Sequence, residues 1–456
     1  SILTTCSTPL ALLAEHPMQS DTSCTEVLVI GAGIAGLTAA HVLKQKGIPV
    51  KVIEAANRVG GRMTSDQING HIIDRGAQFL STEYGIILGL LQQLGLSQHI
   101  RPTSQYSAIV RKGIPRKIRM GRPLDALTSG LLSPGAWFRL GWNSLAISSQ
   151  LRKRSLSDYS QWSELDSAYL ATDSRINREL VEYIHEPMLQ GFYFQTPEET
   201  SKALSHALIA FGLRRAKTLT LEGGIGVLPN ELSQNLDVEL NTPATRIEFS
   251  NGALSVSTPS GERRASRIIL AVPAPTASLI LKRPLDALSS QLLATTYSAS
   301  INVAVVTDER FSLPEKLKDV YGLLIPRRER QDIAAIGIEN NKHRSCTAKG
   351  HLLNIMLCHE SATRCMSLTD DAIIEQVLQS ADIFFPSISQ YVLQTQIYRW
   401  PVAEPCSNIG RSKYLKRYRE QCAKEQPRLV LAGDYMSMPY TEGAAESGMW
   451  AAELIS

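Results

Sequence analysis

The stretch VLVIGAGIAGLTAAHVLKQKGIPVKVIEAANRVGGR, Val27–Arg62, limits what this chain can fold into more than any other. An apolar run leads into Gly31, Gly33 and Gly36; a helical pattern continues to about Lys46, and a second apolar run, Pro49–Ile53, ends at Glu54. That order predicts a strand, a helix and a second, parallel strand. Each glycine has its own task. Gly31 permits the turn that leaves the strand, Gly33 lets backbone approach a pyrophosphate, and Gly36 lets the helix pack against the sheet. The helix N-terminus then offers free N–H groups and the positive end of its dipole to phosphate charge. Glu54 stands 23 residues after Gly31, where a carboxylate accepts hydrogen bonds from ribose hydroxyls and repels a 2′-phosphate.

A chain of 456 residues exceeds one ordinary core, so more than one domain is expected. Later segments repeat the signs of a nucleotide-binding domain. Leu236–Pro273 alternates apolar and polar residues, turns at SNG and PSG, and closes on the apolar run RIILAVP. RLVLAGD (Arg428–Asp434) is a third apolar run and precedes EGAAESGMWAAELI, a pattern for a closely packed helix. The expected fold class is α/β: a Rossmann-type dinucleotide-binding domain interleaved with an α+β substrate-binding domain. The expected pieces are 25–85, 215–285 and 410–456 for the first and 86–214 and 286–409 for the second, after an N-terminal extension over 1–24.

Net charge of +4 is too diffuse over this length to point to nucleic acid. Seven scattered cysteines with no CxxC pair argue against a zinc site or a disulfide framework, and so for a reducing, cytoplasmic setting. LALLA near the start lacks a basic flank and is followed by Glu15 and His16, unlike a secretory signal.

Past the acid, EAANRVGGRMTS places Arg58 and Arg62 around Gly60 and Gly61. A second glycine turn with two guanidinium forks suits a longer, enclosed dinucleotide. GAGIAG…E…RVGGR, followed by DRGAQF (Asp74–Phe79), resembles the flavin-containing amine oxidase superfamily, which includes monoamine and polyamine oxidases, protoporphyrinogen oxidases and carotenoid-type desaturases. LEGGIGVLPNEL (Leu221–Leu232) resembles the segment that begins the return to that family's FAD domain. LNTPATRIE resembles its adenine-contacting strand, which implies such a contact for Ala244. YRWPVAEP (Tyr398–Pro405) resembles a tryptophan-containing stretch on the substrate side, and LAGDYMSMPYTEGAAESG resembles the closing FAD motif.

The resemblance implies FAD as resident cofactor. In the closing motif, Gly433 and Asp434 follow a strand, and Asp434 suits the ribityl hydroxyls. Thr441, Glu442, Gly443 and Ala444 open a helix whose N–H groups suit the flavin N1–C2=O edge, where reduction places negative charge. Gly443 is expected to clear that approach.

The reaction implied is removal of hydride from carbon to flavin N5, from a small, largely apolar amine or unsaturated-ring substrate. O2 is the expected acceptor, and no metal is implied. Tyr440 and Trp400 fall at aromatic positions facing the flavin and substrate in relatives. Asn302 aligns with a lysine that holds a water near N5 in many amine oxidases, and no lysine lies between Pro284 and Phe311. The spacing of RWPVAEP is closer to protoporphyrinogen-oxidase-like members, which moves weight toward carbon–carbon or ring dehydrogenation. A redox-neutral isomerase and a non-catalytic flavin-binding subunit remain as alternatives. Cys406 invites a covalent-flavin reading, and His185–Glu186 an acid–base one. Finally, RKGIPRKIRMGRP (Arg111–Pro123) holds six basic residues and precedes Trp137, Phe138 and Trp142, so Arg111–Trp142 is a candidate peripheral membrane contact.

Overall fold

A computed structural model describes residues 24–456 apart from 152, 174, 175, 251 and 284, and the backbone alone at 24, 143–150 and 250. The N-terminal extension and LALLA therefore lie outside the described residues.

Strand β1 (Cys24–Ile30) runs into helix α1 (Ile34–Gln45) and then strand β2 (Val50–Ile53), which lies parallel to β1 with Ile30 level with Ile53. On the far side of β1 lies the strand Gly261–Leu270, also parallel, with Leu270 level with Ile30. Asp237–Glu239 joins β2, and Leu429–Leu431 joins Ile268–Leu270, again parallel. All five strands therefore end at one edge. Gly31, Glu54, Ala271 and Gly433 follow at that edge, the place where open parallel sheets bind ligands. The hairpin strands Arg246–Ser250 and Ala253–Thr258 extend the sheet antiparallel, with a turn at the expected PSG.

The long helix Thr441–Leu454 packs along α1. Contact is close because Gly448 lies against the Ala35 carbonyl, where a Cβ would stand 2.0 Å from the oxygen. Small residues on one helix thus set the spacing of two helix N-termini.

A second sheet has seven strands in the order Val392–Trp400, Ser300–Thr307, His351–Leu357, Ile333–Ile338, Val320–Leu324, Tyr106–Arg111 and Ile114–Arg119. It encloses its own apolar core of Ile301, Val303, Leu353, Ile336 and Phe385 among others. The segment 86–214 contributes to both cores. Its hairpin Tyr106–Arg119 joins the second sheet, whereas Ile87, Leu91, Tyr159, Trp162 and Leu204 pack in the same core as β1 and α1. Among the described residues no helix is long and apolar enough to cross a membrane.

Candidate functional site

One cavity of about 640 Å³ opens at the carboxyl edge of the parallel sheet and continues between the two sheets. Its floor is built from both glycine turns. Gly31 has φ +102°, and a Cβ there would meet the Ala271 carbonyl at 2.5 Å; Gly36 is barred from carrying one by the Gly31 carbonyl at 1.9 Å. Gly33 differs. Nothing lies within 4 Å of its absent Cβ, so its bare face is turned to open space on the cavity wall. It pairs as a bridge with Gly60, which with Gly61 adopts positive φ. The two turns thus face one another across backbone only.

Two of the helices that start at this edge face the glycine turns without a side-chain cap. Gly33 precedes α1 and Tyr440 precedes Thr441–Leu454, and neither has a side-chain oxygen that accepts from the first-turn N–H groups. The leading N–H groups are left for a ligand, and negative charge is favoured at both places. Open glycine faces and two uncapped helix starts on one cavity fit an anionic dinucleotide.

The charged residues expected there are occupied in part by the protein. The Glu54 carboxylate accepts from the Ala32 N–H at 2.7 Å and the Ala56 N–H at 2.8 Å, tethering the first turn to the end of β2. Its remaining lone pairs face the cavity it lines. Arg58 donates to the Val59 and Gly61 carbonyls and so braces the second turn. Arg62 forms an ion pair with Asp434 at 2.6 Å and donates to the Ala403 carbonyl. Burial disfavours its charge, yet Asp434 outweighs that and holds the guanidinium ionised. The other Asp434 oxygen accepts from the Tyr297 hydroxyl and the Tyr435 N–H, both at 2.9 Å. Two motifs more than 370 residues apart in sequence are thereby locked together.

Three expected cofactor residues sit elsewhere. Ala244 precedes the strand Arg246–Ser250 and is absent from the cavity wall. Glu442 turns away: its carboxylate accepts from the N–H groups of Ile86 and Ile87, the start of helix α2 (Gly85–Gln93), and from the Ser157 hydroxyl. Gly443 is required by packing, since a Cβ there would strike the Met438 carbonyl at 2.1 Å. The spacing of the motif places these residues at the helix start, but which way each points depends on neighbours from other segments. Thr441 and Ala444 do line the cavity.

The other end of the cavity is aromatic. Tyr440 stacks on Tyr84, with ring centroids 5.5 Å apart and planes within 4°, and lies near Tyr193 and edge-on to Phe211. Phe79 and Phe192 extend the wall. Tyr440 donates its hydroxyl to the Leu156 carbonyl, which fixes the ring. Burial pushes the Tyr84, Tyr193 and Tyr440 hydroxyls above their ordinary range, so all three stay neutral. Sequence reasoning missed Tyr84, Tyr193 and Phe211. Tyr193 lies in GFYF, an aromatic run that could have drawn attention; Tyr84 and Phe211 carry no local signal.

Trp400 lines the cavity and donates its indole N–H to the Arg75 carbonyl at 2.8 Å. Asn302 does not line it. Its amide donates to the Asp74 and Arg75 carbonyls from the neighbouring sheet, where it is buried. The loop they grip carries the wall residues Gly76, Ala77, Gln78 and Phe79. It is anchored from behind by Asp74, which pairs with Lys342 in the interior; Lys342 also meets Glu339 at 3.1 Å, all three being almost fully buried. Glu404 also lines the cavity and was not anticipated.

His185 and Glu186 lie off the cavity. The His185 ring bonds the Ser205 hydroxyl at 2.6 Å, and burial lowers it to about 3, so it is neutral; Glu186 accepts from the Arg327 N–H. Cys406 is a free thiol, also off the cavity wall.

The model of the flavin-containing amine oxidoreductases matches residues 34–456, which takes in both helix starts and the aromatic end of the cavity. The chain belongs to this family. Its cofactor is FAD, in keeping with the glycine turns and the paired Arg62 and Asp434. The chain is 28% identical over 279 residues to protoporphyrinogen oxidase 2, chloroplastic/mitochondrial, of Arabidopsis thaliana; the match covers 53% of this chain and 54% of that one. It thus spans about half the length of that relative. It is 23% identical to coproporphyrinogen III oxidase of Bacillus subtilis (strain 168), covering 89% of this chain and 93% of that one. Among solved structures, cyclohexylamine oxidase from Brevibacterium oxydans IH-35A superposes with a TM-score of 0.74 at 19% identity, covering 95% of this chain and 99% of the other. Identity that low speaks for the fold alone.

Proposed function

We propose that this protein is an FAD-dependent oxidoreductase that oxidises a small, largely apolar amine or unsaturated-ring substrate, with O2 as the electron acceptor. The observation that carries this reading is the aromatic compartment of Tyr84, Tyr193, Phe211 and Tyr440, which opens on the same cavity as the two glycine turns. Bound FAD supplies the acceptor for a hydride leaving substrate carbon. The chain's part is to orient the C–H bond and exclude water. Apolar aromatic walls desolvate a substrate nitrogen and favour its neutral form, the form with a lone pair to drive hydride loss. Tyr440 and Trp400 are the proposed substrate-facing side chains, and Asn302 holds the Asp74–Arg75 backbone behind the wall. Without a lysine on the strand Ser300–Thr307, ring or carbon–carbon dehydrogenation is favoured over lysine-assisted amine oxidation. The match to porphyrinogen-oxidising relatives supports the same preference.

A peripheral membrane contact is part of the proposal, through apolar rather than basic residues. Arg111, Lys117 and Arg119 are paired with Glu179, Asp319 and Asp125, whereas Phe138 and Trp142 stand 65% and 67% exposed and stack on one another. Nearby Met120, itself exposed, lines the cavity.

The test is anaerobic titration of the holoprotein with cyclic amines and with partially saturated ring compounds, following the oxidised-flavin band near roughly 450 nm. Bleaching by members of either class, reversed by air, is the expected result. Turnover only after chemical reduction would make the protein an isomerase, and no response to any compound would leave it a flavin-binding subunit.

A further inference from the structure

Three carboxylic acids line the cavity: Glu54, Asp434 and Glu404. The first two are held by protein donors, as described above. The Glu404 carboxyl has no hydrogen-bond or ion-pair partner among the described residues, although the backbone that carries it is held on both sides. Its carbonyl accepts from the Ser298 N–H at 2.8 Å, the adjacent Ala403 N–H donates to Ser298, and the Ala403 carbonyl accepts from Arg62. Pro405 forms a bridge with Tyr297. The side chain is therefore presented to the cavity from a fixed origin with its polar end unused.

Its surroundings decide its charge. From the second glycine turn it faces Arg62, and from the end of the last strand Asp434. From the aromatic end it feels Tyr84 and Tyr193, both neutral, while Tyr297 lies behind Asp434. Arg62, the cation that acts on Glu404, is already matched by Asp434. A dinucleotide brings more negative charge. An acid in that position is compatible with the ligand when it carries its proton, and then it is a hydrogen-bond donor.

We propose that Glu404 is a cofactor-binding residue that donates a hydrogen bond to FAD in its uncharged form, so that FAD is held by the protonated protein and released as this carboxyl ionises. Burial pushes it up to about 8, at the edge of physiological pH. No histidine or cysteine is among the described residues lining the cavity, and its tyrosines stay neutral throughout this range. If only the neutral form binds, the apparent Kd scales inversely with the neutral fraction, which at about pH 9 is roughly one in eleven.

The experiment measures FAD dissociation from the holoprotein between about pH 6.5 and 9, by recovery of free-flavin fluorescence on dilution. Wild type should weaken about tenfold over that span. Glu404→Gln donates at every pH, so its Kd should stay flat and near the wild-type value at low pH. Glu404→Ala should bind severalfold more weakly at pH 6.5. A wild-type Kd that is flat with pH, or one that rises in parallel in the Gln variant, overturns the proposal. So does an alanine variant that binds at pH 6.5 as tightly as wild type. Should either variant fail to fold, infrared difference spectra of wild type decide. A protonated carboxyl band lost near pH 8, and perturbed by FAD, is required.

Discussion

Replacing Gly448 by alanine adds one methyl group where the fold has no room for it. The new Cβ would stand 2.0 Å from the Ala35 carbonyl oxygen and 2.8 Å from its carbon, both backbone atoms of α1. Ordinary contact needs about 1.4 Å more than the shorter distance, and backbone cannot rotate away as a side chain can. Helix Thr441–Leu454 or α1 must retreat as a body. Overpacking of this kind costs about 1–3 kcal/mol, and an obstacle made of backbone puts Gly448→Ala at the upper end. That is a large share of a typical stability of about 5–15 kcal/mol. It also moves apart the two uncapped helix starts on the cavity, so FAD should be lost before the protein unfolds. Gly89→Ala is the control. It lies in α2 with no heavy atom within 4 Å of the added Cβ, and alanine should stabilise the helix there by about 0.5–1 kcal/mol. Urea midpoints and the ratio of bound flavin to protein measure both. Equal midpoints and full flavin in Gly448→Ala would show that the helix contact does not set the cavity.

Three further substitutions probe buried charge and caps. Arg62→Ala leaves Asp434 buried without its counter-ion, which should cost about 3–5 kcal/mol and empty the site of FAD; retained flavin occupancy would refute the linking role of the pair. Glu442→Gln sets an amide N–H against one of the two α2 amides and should cost about 1–3 kcal/mol in urea, while flavin occupancy at saturating FAD changes little. His185, lowered to about 3, contributes stability that is full above pH 6.5 and is lost as the pH falls toward 3, about 2 kcal/mol of it by pH 5. His185→Gln should remove that slope, and an unchanged pH dependence of the urea midpoint would count against a buried neutral ring.

What the sequence discloses follows from how local each signal is. The β1–α1–β2 unit is legible because periodicity, turn glycines and terminal acid all lie within 36 residues and serve one ligand. The hairpins of Leu236–Pro273 are legible for the same reason. Glu442 and Gly443 show the limit: the motif puts them at a helix start, but α2 and Met438 arrive from elsewhere in the chain and claim them. Asn302 is on the expected strand, yet Asp74 and Arg75 stand between it and the cavity. Tyr84, Phe211 and Glu404 are met by tertiary folding alone, and no spacing rule would gather them.

The Arg62–Asp434 pair has a consequence for how the protein is made. Gly261–Leu270 takes its place between β1 and the strand Leu429–Leu431, and the far wall of the cavity is contributed by residues up to Ala444. During synthesis the second glycine turn, with Arg62, leaves the ribosome hundreds of residues before its ionic partner Asp434 exists. Until then the turn has neither its counter-charge nor the second helix start, and pairings so remote in sequence form slowly. Cofactor capture is therefore a late event in the life of each molecule, the step that seals a nearly finished fold. Cells short of flavin should accumulate a complete chain with Arg62 and Asp434 already paired around an empty cavity, rather than a truncated or unfolded one.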